Sequence, residues 1–269
     1  MTKRSLFTIL VLLALCFGLM TPVYAELIQI EKLINGESFL WAVPGETLEI
    51  TLWINNSGNG TITNLSVTDS FPLKQSNAGL SYAGNSDPSP DATAGGIDDE
   101  GWIAYHVTWW NLTQFEPLEP GRSLRITFDV TVDDLAYGEY ENCATVTAWH
   151  NVAGEFFNKS GPVNATACAT VFVPATLSWT YWFELPNVSL LNNPLQRKKA
   201  LSEKIGEVRM MILAGDYKEA IDKLEHDIRA KADGSLGGNP KNDWIKDPNV
   251  QKEICTDIDE LITHLKTLL

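Results

Sequence analysis

Leu48-Glu49-Ile50-Thr51-Leu52-Trp53-Ile54 decides the fold. Aliphatic residues stand at every second position. A strand sends successive side chains to opposite faces, so such a run buries one face and wets the other. Leu124, Ile126, Phe128, Val130 and Val132 repeat the pattern, alternating with Arg125, Thr127, Asp129 and Thr131. Both runs follow a Pro-Gly pair, Pro44-Gly45 and Pro120-Gly121. Proline presets φ at the first corner of a turn, and glycine accepts the positive φ that follows. Further strands are expected near 27–33, 62–69, 101–110, 139–149 and 164–173, and seven strands over such a length predict an antiparallel sandwich. The Gly-, Asn-, Ser- and Pro-rich stretch 74–99 is expected to be an irregular insertion.

The pattern changes near residue 175. Residues 26–174 carry 19 acids and 5 bases, whereas residues 194–269 carry 14 acids and 13 bases and repeat with helical spacing. Pro194 opens a first helix with Leu201, Ile205, Val208 and Ile212 on one stripe, and Gly215 ends it. Asp216 and Glu219 form an acidic variant of the capping box for a second helix, with Tyr217, Ile221, Leu224 and Ile228 as its stripe. Asp247-Pro248 starts a third, with Ile254, Ile258, Leu261, Ile262 and Leu265. The expected organisation is therefore a signal segment 1–25, a sandwich 26–174, an aromatic connector 175–193 and a three-helix domain 194–269. Within the connector, residues 177–185 are read as a strand that completes the sandwich, docks the bundle or joins a neighbouring subunit's sheet edge.

The chain has 269 residues, 44% of them apolar, and a net charge of −14. So acidic a chain argues against nucleic acid as a partner. Lys3 and Arg4, the apolar run Ser5–Met20 and the small-x-small Val23-Tyr24-Ala25 form a secretory signal, with cleavage expected before Glu26. Its apolar run is shorter than the roughly 20 residues of a membrane span. An uncleaved anchor and a lipoprotein attached at Cys16 are the competing readings, and Leu15 is large where the latter needs a small residue. No later segment has the composition of a stable span. Extracellular or cell-surface localisation follows as the expectation.

Three motifs resemble an Ig-like repeat of unknown function found in archaeal and bacterial envelope proteins: Val43-Pro44-Gly45-Glu46-Thr47-Leu48, Ile54-Asn55-Asn56-Ser57-Gly58-Asn59 and Val67-Thr68-Asp69-Ser70-Phe71-Pro72. Asn142-Cys143-Ala144-Thr145-Val146 is similar to that repeat's late strand. The resemblance implies a sandwich at the cell envelope and no catalytic residues. Gly215-Asp216-Tyr217-Lys218-Glu219-Ala220-Ile221-Asp222-Lys223-Leu224 resembles the core of the FIMAH-type helical domain, which implies an accessory interaction module.

Cys143-Ala144-Thr145-Val146 and Cys168-Ala169-Thr170-Val171 are matching phrases. With Ala144, Val146, Ala169 and Val171 facing the core, both cysteines face outward. Antiparallel pairing with Cys143 opposite Cys168 puts Ala144 against Ala167, Val146 against Ala165 and Thr145 against Thr166. A cross-strand disulfide is predicted, worth roughly 3 kcal/mol by loop closure. Cys255, on the third helix, is read as a buried thiol, the alternative being an intermolecular bridge.

Asn-x-Ser/Thr occurs at Asn55, Asn59, Asn64, Asn111, Asn158, Asn164 and Asn187, all before the helical region. These seven are candidate N-glycosylation sites. His106, His150, His226 and His264 form no metal-ligand motif, and neither a nucleophile elbow nor a phosphate loop is present. No catalytic, cofactor-binding or metal-ligating residues are assigned. The acidic stretches 98–100, 133–134 and 233–247 are read as polar turns rather than calcium sites. Trp102, Trp109, Trp110 and Trp149 fall on expected strands, and Trp179 and Trp182 in the connector. Of these, Trp109, Trp110, Trp149, Trp179 and Trp182 are candidate contacts for a partner or for sugar rings, against the plainer reading as core. The expected function is non-enzymatic. It is a surface-layer-associated, filament-like or adhesion component acting by self-association or with other envelope proteins. The alternative is a polysaccharide-binding module.

Overall fold

The computed structural model describes residues 27–72, 79–97, 103–151, 162–187, 190 and 193–269. The segment 1–25, read above as a signal, and Trp102 lie outside these residues. Among the described residues there are ten strands: β1 (Gln29–Ile34), β2 (Phe39–Trp41), β3 (Thr47–Asn55), β4 (Thr61–Pro72), β5 (Leu80–Asp87), β6 (Ala92–Ile97), β7 (Ile103–Trp109), β8 (Ser123–Val132), β9 (Gly138–Asn151) and β10 (Val163–Val173). They form a four-stranded sheet, β1-β3-β8-β5, and a six-stranded sheet, β2-β10-β9-β4-β7-β6. All pairs are antiparallel except β2 with β10. The result is an Ig-like sandwich.

Its core follows from the alternation. Leu48, Ile50, Leu52 and Ile54 meet Ile126, Phe128 and Val130 of the same sheet and Leu65, Val67, Ala144 and Val146 of the other, all fully buried. Burying each of the Leu, Ile, Val and Phe side chains contributes about 1.5–3 kcal/mol. Gly45 and Gly121, at φ +86° and +73°, supply the left-handed corners that the two Pro-Gly turns require.

The stretch 74–99 is not one irregular insertion, because it contributes β5 and β6. Both are held by main-chain pairing. β5 follows β8 through register shifts at Gly84, and β6, Ala-Thr-Ala-Gly-Gly-Ile, is an edge strand on β7. Neither has the aliphatic alternation that marks a strand in sequence.

Four α-helices follow among the described residues: α1 (Trp179–Glu184), α2 (Pro194–Leu213), α3 (Tyr217–Lys223) and α4 (Pro248–Thr267). The connector is thus helical over 179–184, not a strand. Leu177, Trp182 and Leu185 pack into the helical core, whereas Trp179, Phe183 and Leu185 stand at even separations that alternation also fits. The three helices expected over 194–269 are α2, α3 and α4, and the connector helix α1 adds Trp182 to their core. α3 runs on through a π-turn, Leu224–Ile228, and a 3₁₀ turn, Arg229–Lys231. Asp247 caps α4 by accepting from the Asn249 N–H at 2.9 Å, whereas the Asp216 side chain makes no capping bond to α3.

Candidate functional site

The sandwich and the helices share an interface. Val43 belongs to the helical core, and Trp41 stacks on His264 of α4 with ring centroids 5.0 Å apart. Arg209 of α2 donates to the Pro44 carbonyl at 2.7 Å and to Asp134 at 2.5 Å. Thr176 donates both its N–H and its hydroxyl to Asp257 of α4. A cleft of about 390 Å³ opens here, lined in part by Trp41, Glu46, Tyr217 and His264. Burial raises the Glu46 pKa, but its carboxylate accepts the Val43 N–H at 2.9 Å and serves the turn before β3. Burial lowers the His264 pKa.

The outward face of the six-stranded sheet carries a different set of groups. Cys143 and Cys168 are disulfide-bonded across β9 and β10, in the register predicted above. Thr145 and Thr166 are hydrogen-bonded beside them at 3.0 Å. Trp149 on β9 is 42% exposed; Asn64 pairs with it on β4, and Asn164 lies opposite Thr147 on β10. Asn64, Asn164, Asn59, Asn111 and Asn187 are exposed and Asn55 is half-buried, while Asn158 lies outside the described residues. The loop after β7 adds Trp110, 58% exposed, and Phe115, 92% exposed.

Two of the tryptophans named as candidate contacts have no surface to offer. Trp109 is fully buried, donates its indole N–H to the Pro88 carbonyl at 2.8 Å and packs on Phe128 at 5.3 Å. Trp182 is fully buried and donates to the Thr176 carbonyl at 2.7 Å. The side chain of Trp179 lies outside the described residues. Trp110 and Trp149 are the candidates that reach solvent.

Carboxylates in two of the acidic turns are engaged by the chain itself. Asp133 accepts from the Gly79 N–H and the Ser81 hydroxyl, both at 2.8 Å. Asp243 accepts from Gly234 and Gln251, and Asp233 pairs with Arg229. Residues 98–100 lie outside the described residues. Among the described residues one trio of potential ligand atoms lies within 4.8 Å, Glu141, Cys143 and Cys168, and its sulfurs are committed to the disulfide. Cys255 is buried, with its thiol pKa pushed up to about 11 by burial and its sulfur 3.6 Å from the Ala232 carbonyl.

The inter-sheet core holds a polar trio that sequence reasoning missed. Lys32 of β1 and Asp69 of β4 pair at complete side-chain burial. Asn142 of β9, also fully buried, donates its carboxamide N–H₂ to the other Asp69 oxygen at 2.5 Å and to the Ser70 carbonyl at 2.7 Å. Burial lowers the Lys32 pKa, while the charge of Asp69 and its hydrogen bond act to raise it. The Asn142 carbonyl oxygen has no hydrogen-bond partner among the described residues. The available signal was parity. Lys32 alternates in phase with Ile34, Asp69 with Val67 and Phe71, and Asn142 with Ala144 and Val146.

No family model and no curated protein matches the chain. Solved structures similar to part of it include the CARDB domain of a Pyrococcus furiosus protein in complex with di-metal ions, at 14% identity and TM-score 0.30, covering 54% of this chain and 86% of that one. Another is BcpA, the major pilin subunit of Bacillus cereus, at 13% identity and TM-score 0.36, covering 54% and 39%. A third is the sixth cohesin of Acetivibrio cellulolyticus scaffoldin B in complex with a dockerin, at 12% identity and TM-score 0.33, covering 54% and 96%.

Proposed function

We propose that this chain is an exported cell-surface protein with a structural or adhesive role, acting by non-covalent contact with copies of itself or with other envelope proteins. The observation that carries the proposal is the outward face of the six-stranded sheet. A disulfide, Cys143–Cys168, stands there beside two exposed sequons, Asn64 and Asn164. Disulfides persist in oxidising compartments, and sequons are used on the secretory route. No described helix is long and apolar enough to cross a membrane. The acidic sandwich disfavours nucleic acid, and the helical module fits an accessory interaction role of the kind its FIMAH-like wording implies. The setting is an archaeal or bacterial envelope, and the reading is non-enzymatic.

The test uses protein purified from its native source. Sedimentation velocity across a concentration series is expected to show self-association or a co-purifying envelope partner. Intact mass before and after glycan release is expected to show covalent sugar at sequons. A bare monomer without partner over the whole range overturns the reading.

A second reading, polysaccharide binding, is favoured by the exposure of Trp110 and Trp149. An exposed indole offers apolar contact to the flat face of a sugar ring while leaving its hydroxyls free. Fluorescence titration with a defined polysaccharide discriminates. Saturable quenching that Trp149→Ala or Trp110→Ala abolishes supports it, and an unchanged spectrum ends it.

A further inference from the structure

We propose that Lys32 and Asn142 join through an intramolecular amide bond that the folded chain forms by itself, with Asp69 as the proton-transfer group. The geometry brings together a nucleophile, an electrophile and a carboxyl that touches both. One oxygen of Asp69 meets the Lys32 ammonium nitrogen Nζ, and the other meets the carboxamide nitrogen Nδ2 of Asn142 at 2.5 Å. A single carboxyl therefore bridges the attacking atom and the leaving atom.

The chemistry balances without any outside reagent. Lys32 must first be a neutral amine. Burial among apolar groups, with the Phe71 ring centroid 5.7 Å from Nζ, disfavours its charged form. The Nζ lone pair then attacks Cγ of Asn142 and forms the new C–N bond, and the carbonyl electrons move onto Oδ1. That oxygen has no hydrogen-bond partner to rearrange. Asp69 takes the proton from the attacking nitrogen through one oxygen and gives a proton to Nδ2 through the other. The Cγ–Nδ2 bond breaks and ammonia leaves. Amine plus carboxamide becomes a secondary amide plus ammonia, and nothing is oxidised or reduced. Amides resist amines in water because the carbonyl is a weak electrophile, the amine is protonated and the amide nitrogen leaves only when it gains a proton. Asp69 supplies that proton, the dry core disfavours the ammonium, and holding both groups on one carboxyl adds the advantage expressed as a high effective molarity.

The same trio read as a plain ion pair is expensive. It buries a charged pair at complete exclusion from water, and it leaves a carbonyl oxygen unpaired. The amide product replaces the buried ammonium by a neutral N–H that donates to Asp69. It also ties β1 of the four-stranded sheet to β9 of the six-stranded sheet.

The experiment is intact-mass spectrometry of the folded chain after reduction and alkylation, followed by peptide mapping. The expected result is a chain lighter by one ammonia, with a branched peptide joining the segment around Lys32 to the segment around Asn142. Lys32→Met and Asp69→Ala, each checked for strand content by circular dichroism, are expected to keep the full mass. Succinimide formation at an Asn-Gly pair such as Asn35-Gly36 loses the same mass, so the branched peptide decides. Full mass in the folded native sequence overturns the proposal, as does a mass loss that maps to a linear peptide. A variant without Asp69 that still forms the branched peptide overturns its role. The wild-type measurement stands by itself, even if a variant fails to fold.

Discussion

Trp182→Ala tests whether the aromatic connector is core or contact surface. The indole is fully buried in the helical core, in one cluster with Leu177, Leu201 and Ile258. Truncating a buried aromatic to alanine costs about 3–5 kcal/mol. The Thr176 carbonyl also loses the indole N–H that it accepts, which adds about 1 kcal/mol or more for an orphaned acceptor. A loss of about 4–6 kcal/mol is comparable with the whole stability of a small domain, about 5–15 kcal/mol. Urea unfolding followed by circular dichroism at a helix-sensitive wavelength reads it. With a slope of about 1–3 kcal/mol per molar urea, the helical midpoint should fall by about 1.3 M or more. Trp149→Ala, on the exposed face of β9, should stay within about 0.5 kcal/mol of the native chain. If Trp182→Ala leaves the helical midpoint in place while weakening binding to a partner, the connector is a contact surface and the packing argument is wrong.

Three further outcomes are expected. Burial holds the His264 pKa below its ordinary value near 6.5, so the unfolded chain takes up the proton first as pH falls. Its contribution is complete above about pH 6.5 and fades on acidification; the helical midpoint should drop between about pH 7.5 and 5.5, and less so in His264→Gln, the difference between the two chains separating this group from Glu46, whose raised pKa acts in the opposite sense. Equal pH profiles for the two chains would count against the Trp41–His264 stack as a stabilising contact. Cys255, with its thiol near pKa 11, should resist iodoacetamide in the native protein at neutral pH and react on unfolding; native labelling at the rate of a free thiol contradicts its burial. The double variant Cys143→Ser/Cys168→Ser releases a loop with a sequence separation of 25, worth about 3 kcal/mol. Calorimetry should show the sandwich melting several degrees lower, and an unmoved transition would refute the loop-closure estimate.

What the sequence made legible, and what it hid, has one physical divide. Parity along a strand is local. The outward placement of Cys143, Cys168 and Thr145 and the inward placement of Ala144 and Val146 followed from the residues on either side of them. The register of β9 on β10 then followed from matching small residues across the pair. Partnership between sheets is not local. Lys32, Asp69 and Asn142 each stand at a core position in their own strand, yet nothing in those strands says that β1 lies across from β4 and β9. The same divide explains Trp109 and Trp182. Alternation placed Trp109 in phase with Val107, which is buried, and it was the roof over that face that the sequence left open. β6 was hidden for another reason: its Gly-rich run carries no side-chain signal, because main-chain bonds to β7 hold it. In residues 177–185 the aromatic spacing satisfied two periods at once, and only the neighbouring helices select between them.

The two covalent ties converge on consecutive residues of one strand, and this sets how the molecule carries load. Asn142 points into the sandwich, and Cys143 points out of it. Through Asn142, β9 is bonded to β1, the first described strand; through Cys143 it is bonded to β10, the strand that leads into the helices. A pull applied to α4 passes by way of Thr176 and Asp257, and along the chain, to β10. Without covalent ties the ladder between β10 and β9 would open one hydrogen-bonded pair after another from that end. The disulfide stops this peeling at Cys168, and the amide passes the force on to β1 in the opposite sheet. The segment between Lys32 and Asn142 is then bypassed by the load. In single-molecule stretching from the two ends, the oxidised chain should show no extension from residues 32–142. Lys32→Met, folded and with its disulfide intact, should add the extension of those residues at the first unfolding event. Identical contour lengths for the two chains contradict the amide tie on mechanical grounds, independently of any mass measurement.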